Sequence, residues 1–123
     1  MFDKIRKALG GRPDEAARRA ALATATAALE AELQRLGWWQ DVPLEPERMQ
    51  FRAAYGMDTM AFSQWLQFVF VPAARAVAAG ERPLPPGSAL AVHAVREFDG
   101  MDEADALCTI LRRIDDAVEG RSA

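Results

Sequence analysis

Residues 56–72, Gly56-Met57-Asp58-Thr59-Met60-Ala61-Phe62-Ser63-Gln64-Trp65-Leu66-Gln67-Phe68-Val69-Phe70-Val71-Pro72, constrain this chain more than any other stretch. They compress a helix start, an almost wholly apolar helix and a proline into one run. Phe62, Trp65, Leu66, Val69 and Ala73 share a face at helical spacing, while Phe68, Phe70 and Val71 fill much of the rest. A helix that is apolar nearly all round is normally the buried central element of a fold. Pro72 removes an amide donor and crowds the carbonyl four residues back, which predicts a kink or break within residues 67–71 and a continuation to about Ala79, stopped by Gly80. Asp58 or Thr59 is expected to cap the helix start, because a side-chain oxygen there can accept from free amides.

Three further helices are predicted around it. Pro13, Asp14 and Glu15 suit a helix start. From there Leu22, Leu29, Leu33 and Leu36 form one stripe, Arg18, Arg19, Glu30, Glu32 and Arg35 are expected to face water, and Gly37 is the stop. Trp38 and Trp39 open a linker with Pro43 and Pro46, and at least one of the two rings should fold under it as a lid, since both expose too much apolar area to stand in water. The turn Pro83-Leu84-Pro85-Pro86-Gly87 leads to Ser88 as the cap of a short helix from Ala89 to about Phe98. Asp102, with Asp105 in a capping role, begins the last helix, striped by Leu107, Ile110 or Leu111, Ile114 and Val118 and ended by Gly120. No segment alternates apolar and polar residues over strand length. The fold class expected is all-α, a small four-helix bundle with proline-rich connecting loops.

The chain is short enough for one core, so residues 13–120 are expected to form one helical domain and residues 1–12 a short basic amphipathic extension. In that extension Phe2, Ile5 and Leu9 share one face opposite Lys4, Arg6 and Lys7; it is expected to be a frayed terminus or an extra turn, too short to hold a membrane alone. No secretory signal is read at the start, and no stretch is long and apolar enough for a transmembrane segment. With Cys108 as the only cysteine, a disulfide within the chain and a cysteine-built zinc site are excluded by count, and a cytoplasmic location fits. Fifteen basic residues against eighteen acidic ones argue against strong direct nucleic-acid binding. The charge is uneven: residues 1–20 carry a net +3 and residues 96–119 a net −5, a dipole that can orient the molecule on a basic partner.

Reaction chemistry is hard to place on these residues. His93 is the only histidine, so a di-metal Glu-x-x-His site fails, and Leu90 stands where its glutamate would be. Cys108 borders the apolar stripe of the last helix and reads as a small buried hydrophobe instead of a nucleophile paired with His93. The acids Asp99, Asp102, Glu103, Asp105, Asp115, Asp116 and Glu119 lack calcium-loop spacing and are expected to form a solvated face. No catalytic residue, cofactor or metal is expected.

The run Met57-Asp58-Thr59-Met60, then Trp65-Leu66-Gln67, Pro72 and Leu84-Pro85, behind a Leu-rich helix ending in tryptophan, resembles the YqcC-like family of small bacterial helical proteins of unknown function. The resemblance covers roughly residues 26–119. It implies a helical bundle without an established activity, and, through gene neighbourhood, an accessory role beside a tRNA pseudouridine synthase. The expectation is therefore a non-enzymatic protein-interaction module with another protein, that synthase, as the implied partner. Large apolar residues between positions 49 and 71 exceed the needs of one small core, which makes Phe51, Tyr55, Met57, Asp58, Met60, Gln64 and Gln67 the candidate partner-binding residues. Gln64 and Gln67 fit least with a purely structural role, since amides beside a buried stripe must bond a loop or a partner. The alternative reading turns the same aromatic excess inward, as a bundle binding a small apolar or amphipathic ligand in an internal cavity near Pro72.

Overall fold

The leucine stripes of the first and last helices meet each other. In the computed structural model, which describes residues 14–121, α1 (Glu15–Arg35) packs antiparallel on α5 (Asp105–Glu119). Between them stand α2 (Phe62–Trp65), a π-helical turn (Leu66–Phe70) and α3 (Val71–Ala78), continuous as one rod, and α4 (Leu90–Glu97). Short 3-10 turns occur at Pro46–Met49, Ala54–Gly56 and Asp102–Ala104. Among the described residues there is no strand, so the small all-α bundle is the fold. The expected extension 1–12 lies outside the described residues.

Leu22, Leu29, Leu33, Leu66, Leu107 and Leu111 are each no more than 1% exposed. Each such side chain stabilises by about 2 kcal/mol relative to an exposed one, whereas surface ion pairs such as Arg75–Glu30 contribute about 0–1 kcal/mol, so the leucine core holds the fold. Glycine stops are realised as expected at Gly37, Gly80 and Gly120, all with positive φ. At Gly80 the amide bonds Val77 O and that of Glu81 bonds Ala76 O, the paired closure for which a left-handed glycine is suited.

The rod departs from the sequence expectation in its phase. The amide of Val71 bonds Leu66 O, five residues back, so one extra residue is accommodated before Pro72, whose missing N–H then leaves no α-helical bond to break. In place of the kink or break expected at 67–71 stands this π turn within a continuous helix, and the face does not run through Val69 and Ala73; beyond the turn the buried residues are Val71, Ala74 and Val77. The rod is also not the centre of the fold. Phe68, Val69 and Phe70 are only half-buried, and the main packing is between α1 and α5.

Three polar expectations are corrected. Glu32 is buried and bonded by Arg35 Nε at 2.8 Å. Arg18 and Arg19 turn inward to backbone carbonyls, Arg18 to Val118 O and Arg19 to Val77 O and Arg82 O. The cap of α4 is not Ser88. Asp115, 4% exposed on α5, accepts from Leu90 N at 3.0 Å, Ala91 N at 2.9 Å and the Ser88 hydroxyl, so a carboxylate from another helix does the capping and fixes α4 on α5. Asp102 and Asp105 make no side-chain capping bonds.

Candidate functional site

The linker 37–61 lies against α2 and the π turn, and hydrogen bonds from polar side chains set its shape. A buried backbone needs partners for its N–H and C=O groups. Gln67, 6% exposed, supplies both: its Oε1 accepts from Gln40 N at 2.9 Å and its Nε2 donates to Gln40 O at 2.7 Å. Gln64 Nε2 donates to Gln40 Oε1 at 2.7 Å, while Gln64 Oε1 accepts from Ala61 N at 2.8 Å and Arg48 at 3.0 Å. Arg48 Nε donates to Thr59 O and the Thr59 hydroxyl to Arg48 O. The two glutamines thus clamp the linker onto the rod.

Asp58 and Thr59 do not cap the helix, which starts at Phe62 with Gln64 receiving the Ala61 amide. Asp58 instead accepts from Arg52 N at 3.0 Å and Ala53 N at 3.3 Å, closing the turn before Tyr55. The Arg52 amide foremost, with that of Ala53, holds its carboxyl below the usual aspartate range. Tyr55 then adopts φ +57 and Gly56 φ +63. A left-handed tyrosine costs about 1–2 kcal/mol. The Tyr55 ring stacks on His93 with centroids 4.3 Å apart and meets Trp65 and Phe62 edge-on at 5.1 and 5.5 Å. Such aromatic pairs are worth about 0.5–1.5 kcal/mol each, enough together to offset the strain. His93 is therefore neither a surface nor a capping residue but part of an aromatic cluster, its Nε2 buried without a hydrogen-bond partner among the described residues. The lid expected of the tryptophans is present: both pack partly buried against the core, Trp38 with its ring 5.3 Å from that of Phe98.

Of the seven candidate partner-binding residues, the structure brings all into this linker–rod layer but exposes few. Met57 is 47% exposed and Asp58 is exposed; Phe51, Tyr55 and Gln64 are half-buried; Met60 and Gln67 are interior. Met49, on the same linker, is exposed as well. Gly56 explains the burial of Met60, because a Cβ there would stand 2.9 Å from Met60 Cγ. Sequence reasoning missed Gln40 and Arg48, for which no local signal exists, and Asp115, for which one does: it sits four residues after Leu111, on the flank of the apolar stripe.

Among the described residues no three His, Cys, Asp or Glu side chains gather as a metal site, and no helix is long and apolar enough to cross a membrane. Burial foremost, with the Asp105 carboxylate, pushes the Cys108 thiol up, away from the thiolate a nucleophile needs. Of the acids, Asp116 and Glu119 pair with Arg121 and Asp115 is buried, so that end is not the solvated face expected. Near the Pro72 region lies a groove of about 280 Å³ open to the surface, walled by Leu22, Phe70, Val77, Pro83 and Val118.

Fold and site together define a small helical domain whose polar side chains are largely committed to holding loops and helix ends. The chain belongs to the DUF446 family, described as "tRNA pseudouridine synthase C", whose sequence profile matches residues 21–117. An uncharacterized protein of Haemophilus influenzae is 30% identical over 78 residues, covering 61% of this chain and 74% of the relative. A tRNA pseudouridine synthase C of Pectobacterium carotovorum subsp. carotovorum is 37% identical over 57 residues, 46% of this chain and 15% of that protein, so this chain matches only a small part of that enzyme's length. No solved structure matches. Membership in a family with an uncharacterized relative agrees with the resemblance at that level, while the YqcC-like name rests on the sequence motifs alone.

Proposed function

We propose that this chain is a non-enzymatic accessory module that docks on a tRNA pseudouridine synthase of the C type in the cytoplasm. The observation that carries the reading is that a 57-residue stretch, 46% of this chain, is similar to 15% of a protein bearing that enzyme's name. Support comes also from the side chains that chemistry would recruit. His93 is stacked in an aromatic cluster, Asp115 is consumed in capping and the Cys108 thiol is held protonated. The linker 37–61 offers a contact platform, with Met57 and Asp58 exposed, Phe51, Tyr55 and Gln64 half-buried, and Met60 and Gln67 beneath giving it shape.

Calorimetric titration of the purified chain with the synthase encoded by the same genome tests this. Saturable binding is expected, together with no pseudouridine formation in tRNA by the chain alone. Absence of binding overturns the partner, and turnover by the chain alone overturns the non-enzymatic assignment. Ligand binding in the groove of about 280 Å³ is the second reading, weaker because that groove is open to the surface, whereas ligand sites bury most of the bound molecule. A concentration-dependent rise in Tm with a small apolar compound would favour it.

A further inference from the structure

Helix α4 and the start of α5 carry a second uncovered face, of mixed character. Val92 and Val95 stand three residues apart, hence on one side of α4, and are 59% and 54% exposed. Beside Val95 runs an open groove of about 340 Å³ walled by Phe98, Met101, Asp99, Asp102 and Asp105. Residues 96–105 hold five carboxylates and one cation, Arg96. Glu97, Asp99, Asp102, Glu103 and Asp105 make no ion pair among the described residues, so this run of like charge is not offset by a neighbouring arginine. Apolar side chains in water beside uncompensated charge of one sign are complementary to a surface of the opposite kind: apolar residues flanked by lysine and arginine. An enzyme that holds tRNA must present cationic side chains to phosphates, so it is a partner whose surface carries the charge opposite to this face.

We infer that the α4–α5 face is the docking surface for the synthase, seating a cationic amphipathic segment of it with apolar side chains over Val92 and Val95 and basic ones on Asp99, Asp102 and Asp105. This rests on the reading of the chain as that enzyme's accessory. The face adjoins the linker platform, because Tyr55 of the linker stacks on His93 of α4, so one partner can touch both. Its attraction is between exposed charges, and added salt screens it.

The test measures binding of the synthase to wild type, to the combined Asp99→Asn, Asp102→Asn, Asp105→Asn variant, and to Glu81→Gln as a control on a distant exposed acid. Expected is at least about a tenfold weaker affinity for the triple variant, no change for the control, and a wild-type affinity that falls with salt. Equal binding by the triple variant overturns the surface while leaving the accessory reading intact. If the synthase binds no form, the accessory reading fails, and a synthetic Lys/Leu amphipathic helical peptide decides the surface: binding to wild type above a Lys/Ser peptide of equal charge, lost in the triple variant, upholds it, and no binding overturns it. Should the triple variant fail to fold, Cys108, which lines the groove, gives the readout in wild type. Its alkylation must slow severalfold when the synthase is bound, and an unchanged rate refutes the assignment.

Discussion

Replacing Asp115 by alanine removes the acceptor of three hydrogen bonds at once. Leu90 and Ala91, whose amides it receives, are 4% and 5% exposed, so water cannot take its place. Loss of a helix cap costs about 1 kcal/mol, and each buried amide left unpaired about 1–3 kcal/mol. The Ser88 hydroxyl, half-buried, can recover part of its bond from solvent. The cap is these two amide bonds, so their loss predicts about 2–6 kcal/mol, a large fraction of the roughly 5–15 kcal/mol that holds a domain of this size. Asp115→Asn keeps one carbonyl oxygen and should lose only about 1–2 kcal/mol. Ser88→Ala should lose about 1 kcal/mol. Urea unfolding followed by far-UV circular dichroism measures all three, with the midpoint shift read at constant slope. If Asp115→Ala stays within about 1 kcal/mol of wild type, the carboxylate does not cap α4 and the account of how α4 is fixed to α5 is wrong.

Three other perturbations probe the linker–rod layer and the acid response. Gly56→Ala should cost about 2 kcal/mol or more, since the residue keeps φ +63 and its new Cβ meets Met60 Cγ at 2.9 Å; an unchanged urea midpoint would contradict the packing. Gln67→Leu strands the amide and carbonyl of Gln40, so hydrogen exchange at residue 40 should accelerate and stability fall by about 2 kcal/mol, whereas unchanged protection would detach the clamp from Gln67. The carboxyls of Asp58, through the Arg52 amide, and Glu32, through its bond from Arg35, both titrate below their ordinary range in the folded chain. The unfolded chain therefore binds more protons in that acidic window, so this stability is present above the ordinary carboxylate value near pH 4 and is lost as pH falls through the folded values; Asp58→Asn with Glu32→Gln should flatten the acid limb of a stability profile.

Local signals and tertiary partners separate cleanly in this chain. The stripes through Leu22–Leu33 and Leu107–Val118 and the stops at Gly37, Gly80 and Gly120 were legible because periodicity and left-handed glycine are properties of a few consecutive residues. The cap of α4 was not, because Ser88 offers the right chemistry locally while the acceptor that wins comes from Asp115, 27 residues later in sequence. Asp58 likewise has the chemistry of a cap but spends it on the Arg52–Ala53 turn. For the candidate site, the tension noted at Gln64 and Gln67 was well founded, and it resolves toward a loop in both. Which methionine faces water, Met57 or Met60, depends on the left-handed pair Tyr55–Gly56, and a residue pattern does not reveal that pair.

The π turn gives the long rod two independent orientations. One residue beyond α-helical register rotates everything after it by roughly 100°, so α2 can aim Phe62 at the aromatic cluster under the linker while α3 aims Ala74 and Val77 toward α1. A straight helix would have to choose between those neighbours. Deleting a single residue within Leu66–Phe70 should therefore be far more damaging than its small loss of buried area suggests, because it would swing one half of the rod out of its seat while leaving every side chain of that half intact.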